Sequence, residues 1–284
     1  PPTKLKVPPY LVDTPELREG MSRYYAEITY MDGQVGQLMN FLKELGLLDK
    51  TLMLWLSEQG SQLPFGKWTC YDTGIHAAAI LRWPEKVTEG RTSNALISYV
   101  DIVPTFLELA GGDPTAFDFD GKSFAPLLQG RGKTHNDVVF STNTTRGIYH
   151  GSEAYGTRAA TDGRWLYIRN LHADSLFQNV ITHKDRIYAS WKSVDTDFAR
   201  ARTQAYVKRP AEELFDLRVD PWCLNNLASK PDATTALVRL SKRMDVWMKQ
   251  QGDSGDAIER SANERQPKLK PWSKKGGGYS IEGH

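Results

Sequence analysis

Cysteine is nearly missing from this sequence: 284 residues contain only Cys70 and Cys223. Two cysteines cannot build a disulfide framework or a four-cysteine zinc site. An excess of charge of one sign is also missing. The formal net charge of +2 gives no reason to expect nucleic acid as a partner. The apolar runs are far too short to cross a bilayer, so no membrane span is expected. There is no initiator methionine and no signal-peptide pattern; the first residues are "PPTKLKVPPY", which read as the middle of a longer protein. Internal repeats are absent, and nothing in the sequence indicates an oligomeric state. What is present is ordinary: 40% hydrophobic and 25% charged residues, the composition of a soluble globular protein. The length allows one large domain or two smaller ones.

Residues 1–14 carry four prolines and no period, and read as extended chain. A helix follows. Thr14 is its expected N-cap, Pro15 suits the first helical position and Glu16 complements the dipole. Leu17, Met21, Tyr24, Ile28, Met31, Val35, Leu38, Leu42 and Leu45 form one apolar stripe, and Gly46 closes the helix. Such a single stripe is expected to cover a sheet. "TLMLWLS" at 51–57 and "HAAAILRW" at 76–83 read as buried strands, expected to be neighbours or near-neighbours in one mostly parallel sheet. Helices are expected at "VDIVPTFLELAGG", capped by Asp101 and stopped by Gly111, and at "SFAPLLQG", ending at Gly130. This alternation predicts an α/β sheet with flanking helices over residues 1–130. After residue 131 the pattern changes. "DVVFST" and "ELFDLRVDP" read as strands. "YGTRAATDGRWLYIRN" reads as a hairpin turning at Asp162-Gly163. A helix follows with Leu237, Leu240, Met244, Trp247 and Met248 on one face and Gly252 after it. Residues 131–252 are therefore expected to form a small α+β subdomain with an antiparallel sheet, and 253–284 a polar tail.

The connection between the first two strands holds the unusual chemistry. Glu58 and Gln59 follow directly on a strand end, where sites collect in open α/β sheets. Both offer oxygen donors suited to a hard cation such as calcium. Lys67 lies in a glycine-containing loop on the same connection. A cation and a lysine together would hold an anionic oxyester and stabilise charge developing on its oxygens. Spacing alone equally fits a solvated turn and a surface lysine.

Several pieces, taken in order, resemble the sulfatase family of the alkaline-phosphatase-like superfamily. "YYAEITYMDGQVGQLMNFLKELGLLDKTLMLWLSEQG" resembles its helix, strand and second metal-ligand motif. "GKWTCYDTGIHAAAILRWPEKVTEG" resembles its lysine loop and next strand, and "ISYVDIVPTFLELAG" followed by "DGKSFAPLLQG" its continuation. "VPPYLVDTPELREGMSRYY" and "RPAEELFDLRVDPWCLNNLA" look most like the heparan N-sulfatase (sulfamidase) branch. The resemblance implies Glu58 and Gln59 as calcium ligands, each one methylene longer than the family's usual residue. It implies Lys67 on the sulfate group, and a sulfated saccharide as substrate. It also implies a formylglycine nucleophile made from a Cys/Ser-x-Pro/Ala-x-Arg motif. No such motif occurs in this chain, and the family's first pair of metal-ligand aspartates has no counterpart. The resemblance thus implies the C-terminal portion of a sulfatase, inactive alone, in a protein that is periplasmic, secreted or lysosomal.

Further along, "TTRGIYHGSEAYGTR" is a polar, glycine-containing segment of the kind that carries substrate contacts. Arg146, His150 and Arg158 are candidates for gripping a sulfated or carboxylated sugar, or are surface-loop residues. Trp165, Tyr167, Tyr188 and Trp191 either stack on sugar rings or fill a small sheet's core. His76 reads as a partly buried histidine opening a strand. Cys70 and Cys223 read as small hydrophobes. Two other functions share these features: a phosphodiesterase or phosphomutase of the same superfamily, and a non-catalytic carbohydrate-binding remnant.

Overall fold

The computed structural model describes residues 1–264, apart from Glu85, Thr88, Gly147, Tyr149 and Asn263. Helix α1 runs Pro15–Glu44, with the Thr14 hydroxyl accepting from Leu17 N and Gly46 in the left-handed region at φ 65°. Strand β1 (Met53–Leu56), helix α2 (Asp72–Ile75) and strand β2 (Ala79–Arg82) follow, then helices α3 (Ile102–Leu109) and α4 (Ala125–Leu128). Gly111 and Gly130 both take positive φ beyond these helices, which is how a chain leaves a helix without a Cβ clash. Asp101 precedes α3, but its carboxylate serves the turn before it. That carboxylate accepts from Ser98 N, Lys122 N and the Asn136 amide.

The expected parallel pairing is not found. β1 and β2 form a two-stranded antiparallel ribbon with Met53 opposite Arg82 and Leu56 opposite Ala79. A parallel partner would need a crossover carrying the chain back along the strand's full length. Instead the connection closes at the end where β1 stops. Ser57 N donates to Ala78 O at 3.0 Å and Gly60 N to Gly74 O at 2.9 Å.

The second region matches its expected class. β3 (Val139–Asn143), β4 (Thr157–Thr161), β5 (Trp165–Asn170) and β6 (Glu212–Asp216) form one antiparallel sheet in that order. The β4–β5 turn is displaced by one residue from the expected position. Asp162 N donates to Trp165 O, so Gly163 (φ 84°) and Arg164 occupy the bend, and the Asp162 carboxylate accepts from Arg164 N and Trp165 N. Alternation along β5 divides the core. Leu166 and Ile168 face a large aromatic cluster with Phe65, Tyr71, Trp191 and Tyr206; Tyr167 faces Leu240 and Met244. The latter belong to α8 (Thr234–Gln250), whose buried face is the one its period predicts. Burial of each such side chain contributes roughly 1.5–3 kcal/mol.

Between β5 and β6 lie α5 (Val180–Lys184), α6 (Arg186–Trp191) and α7 (Asp197–Val207), capped by Asn179, Asp185 and Thr196. The last helix among the described residues, α9 (Asp256–Arg260), falls in the segment expected to be a polar tail. It packs into the fold: Glu259 and Ala262 are buried. The stretch "KLKPWSKKGGG" lies outside the described residues. Among the described residues no helix is long and apolar enough to cross a membrane.

Helix α1 departs most from its expected role. Only Leu17 and Met21 are buried; Tyr24, Tyr25, Ile28, Leu38, Phe41 and Leu45 are exposed. Its apolar stripe has the right period and covers little of this chain.

Candidate active site

The end of the β1–β2 ribbon brings the predicted residues onto one loop system. After Ser57, the turn Glu58-Gln59-Gly60 lies against the backbone of α2. A Cβ at Gly60 would fall 1.9 Å from Thr73 O, so only glycine fits there. Glu58 is exposed, Gln59 is half-buried, and both line a cleft of about 1970 Å³ together with Trp68, Thr69, Asp72 and His76. Tyr99, which the sequence reading passed over, donates its hydroxyl to Ser57 O. Burial and the neighbouring Glu58 charge push that hydroxyl's pKa up.

The lysine loop turns back on the same turn. Lys67 N donates to Ser61 O at 2.8 Å, two residues beyond Gln59. Phe65 (φ 68°) and Trp68 (φ 64°) flank the Gly66-Lys67 pair in the left-handed region. For bulky residues that conformation costs about 1–3 kcal/mol each and persists only where neighbours fix it. The neighbours are plain. Phe65 O accepts the hydroxyls of Thr69 (2.9 Å) and Thr73 (2.7 Å). The Phe65 ring lies under the Arg202 guanidinium at 3.7 Å. Trp68 O accepts from the Asn143 amide at 2.6 Å. The Lys67 ammonium rests 5.2 Å from the centre of the Trp68 indole, and Trp68 itself lines the cleft. Tyr71 anchors the far side of the loop, donating at 2.9 Å to the buried Glu213, whose carboxyl burial pushes up.

His76 is not buried as expected. Its side chain is 77% exposed, 3.3 Å from Asp72, in the same cleft as Glu58. The Asp72 hydrogen bond raises its pKa against the opposing effect of partial burial. Cys70 and Cys223 are buried, and burial pushes both thiols up to about 12.

The remaining candidates do not gather at this cleft. Arg146 and His150 are exposed, and the His150 ring lies 5.9 Å from His183, on a different part of the surface lining. Arg158 does not face a ligand. Its guanidinium is buried, paired with Asp253 and at 2.7 Å with Glu259. Local sequence gave no warning, because these partners lie 95 and 101 residues away. Tyr167, Tyr188 and Trp191 are almost fully buried and belong to the core clusters.

Two family profiles match, "Sulfatase" over residues 7–112 and "N-sulphoglucosamine sulphohydrolase, C-terminal" over 60–172. The chain belongs to the sulfatase family. An ulvan-active sulfatase of Formosa agariphila is 36% identical over 81% of this chain and 43% of that protein. Human N-sulphoglucosamine sulphohydrolase is 24% identical over 87% of this chain and 51% of that protein. A crystal structure described as a sulfatase of Bacteroides thetaiotaomicron superposes with a TM-score of 0.64 at 16% identity, covering 90% of this chain and 47% of that one. The sulfatase chain described here spans about half the length, or less, of these relatives.

The donor set fits calcium in kind. A carboxylate and an amide oxygen are hard ligands, and both residues line the cleft. They are too few for the six to eight oxygens calcium takes, and among the described residues no group of three or more His, Cys, Asp or Glu side chains could hold a metal.

Proposed function

We propose that this chain is the C-terminal portion of a hydrolase that removes sulfate from a sulfated saccharide, cleaving a sulfate ester or a sulfamate. The observation that carries the reading is the stitched loop system. Glu58, Gln59 and Lys67 lie on one connection, closed by Gly60–Gly74 and Lys67–Ser61 hydrogen bonds beside an open cleft. Sulfuryl transfer redistributes negative charge over the sulfuryl and leaving oxygens. A lysine held by its backbone and supported on an indole face presents positive charge there with little reorganisation. Glu58 and Gln59 would supply two ligands to a calcium ion, which when bound polarises a sulfuryl oxygen. The nucleophile, a formylglycine, and the remaining ligands would come from residues upstream of this chain.

Two substrate arms follow from the relatives. The C-terminal profile points to heparan-type N-sulfoglucosamine, and the relatives at 36% and 30% identity to ulvan. Sulfate release from both, measured with the full-length protein with and without calcium, tests the proposal. Calcium-dependent release from either supports it. Release from neither, together with phosphate release from a diester, replaces it with the phosphodiesterase reading.

A further inference from the structure

We propose that Asn143, at the end of β3, is a positioning residue for Lys67, acting through the backbone of Trp68, and that Arg158 and α9 hold Asn143 in place. The inference rests on the reading of Lys67 as the sulfate-facing cation. Trp68 is the residue on which that cation lies, and its backbone is in the left-handed region. A tryptophan returns to ordinary φ unless something holds it. The hydrogen bond that holds its carbonyl comes from Asn143, 75 residues away and in the other subdomain.

Asn143 is itself fixed from behind. Its backbone pairs with Thr157 in the β3–β4 ladder, and its carbonyl accepts from Arg158. Arg158 is buried between Asp253 and Glu259, and Glu259 also accepts from Thr145 N at 2.6 Å. A continuous set of bonds therefore runs from α9 through Arg158 and Asn143 to Trp68 and the lysine. Removing the Asn143 amide leaves Trp68 free to relax, turns the indole and moves the ammonium. Because Lys67 acts on charge present in the transition state, the loss belongs in kcat rather than KM.

A double-mutant cycle on the full-length enzyme tests this. Asn143→Ala should lower kcat about tenfold with KM nearly unchanged. In a Lys67→Ala background the same substitution should cost no more than about twofold, since its route to the chemistry is gone. If Asn143→Ala loses the fold, Asn143→Asp keeps the shape without the donor and takes its place in the cycle. Full additivity of the two substitutions, or no effect of removing the donor in an enzyme that Lys67→Ala inactivates, overturns the inference and leaves the role of Lys67 standing. An active Lys67→Ala enzyme overturns that role instead.

Discussion

Lys67 has a backbone fixed on both sides and a side chain laid on an indole, an expensive arrangement for a residue with no task. Losing a preorganised charge that meets a developing oxyanion typically costs ~10²–10³-fold in rate. Lys67→Ala in the full-length enzyme should therefore lower kcat/KM by at least roughly tenfold, with the melting temperature unchanged. Lys67→Arg should retain part of the activity, because charge persists while reach and geometry change. An exposed lysine is worth only about 0–1 kcal/mol, and its removal would leave kcat/KM where it was. The two cysteines give a second residue-scale test. With both thiols buried and pushed up to about 12, neither should react with an alkylating reagent at pH 8 in the native protein, and both should react once it is denatured. That Glu58, Gln59 and Lys67 share one connection was legible because the signal is local: strand, then acid and amide, then a lysine after a glycine. Arg158 was not. A buried ion pair and a substrate grip look alike in sequence when the partners, Asp253 and Glu259, lie about a hundred residues away. His76 was misread for a related reason: it precedes a strand whose own face is open to the cleft.

At the scale of elements, capped and periodic segments were legible, as α1, α8 and the β4–β5 hairpin show. Helices α5 to α7 were not, because they are short and begin at caps with no sustained period behind them. The ribbon's direction was not legible either, since apolar runs carry no orientation. The loop at 57–78 sets that direction through backbone bonds. Helix α9 was hidden by a polar composition that suits a tail, and its place comes from the buried Arg158. Breaking a buried ion pair by removing one partner typically costs about 3–5 kcal/mol. Arg158→Ala should therefore shift the denaturant midpoint strongly, where loss of a sugar contact would leave it unmoved. The pH dependence has a definite sign. Burial alone would raise the Asp253 carboxyl, but the Arg158 hydrogen bond, the Gly255 N–H and the Arg158 charge together hold it below the usual range. A depressed carboxyl contributes stability that is present above its unfolded value and is lost as pH falls through its folded value. Unfolding followed by circular dichroism should show the protein losing stability below about pH 4, with a smaller acid-side slope in Arg158→Ala.

For the whole molecule, the exposed stripe of α1 has company in Ile80, Val103, Phe106 and Phe117 on other elements. Soluble monomers rarely leave so much apolar surface open. The chain purified alone should therefore bind a hydrophobic dye strongly or elute from a sizing column above 32.0 kDa, and the full-length protein should do so much less. The same incompleteness appears in the chemistry. Lysine and two oxygen donors are present, and no Cys/Ser-x-Pro/Ala-x-Arg motif exists to supply a nucleophile. Removing one member of a catalytic unit typically costs several orders of magnitude. The most direct measurement is therefore inorganic sulfate released from a sulfated glucosamine and from ulvan, by the full-length protein and by residues 1–284 alone. The account predicts turnover by the full-length protein and none above background by the 284-residue chain. Sulfate release by that chain alone, or none by a full-length protein that carries the nucleophile motif, would contradict it.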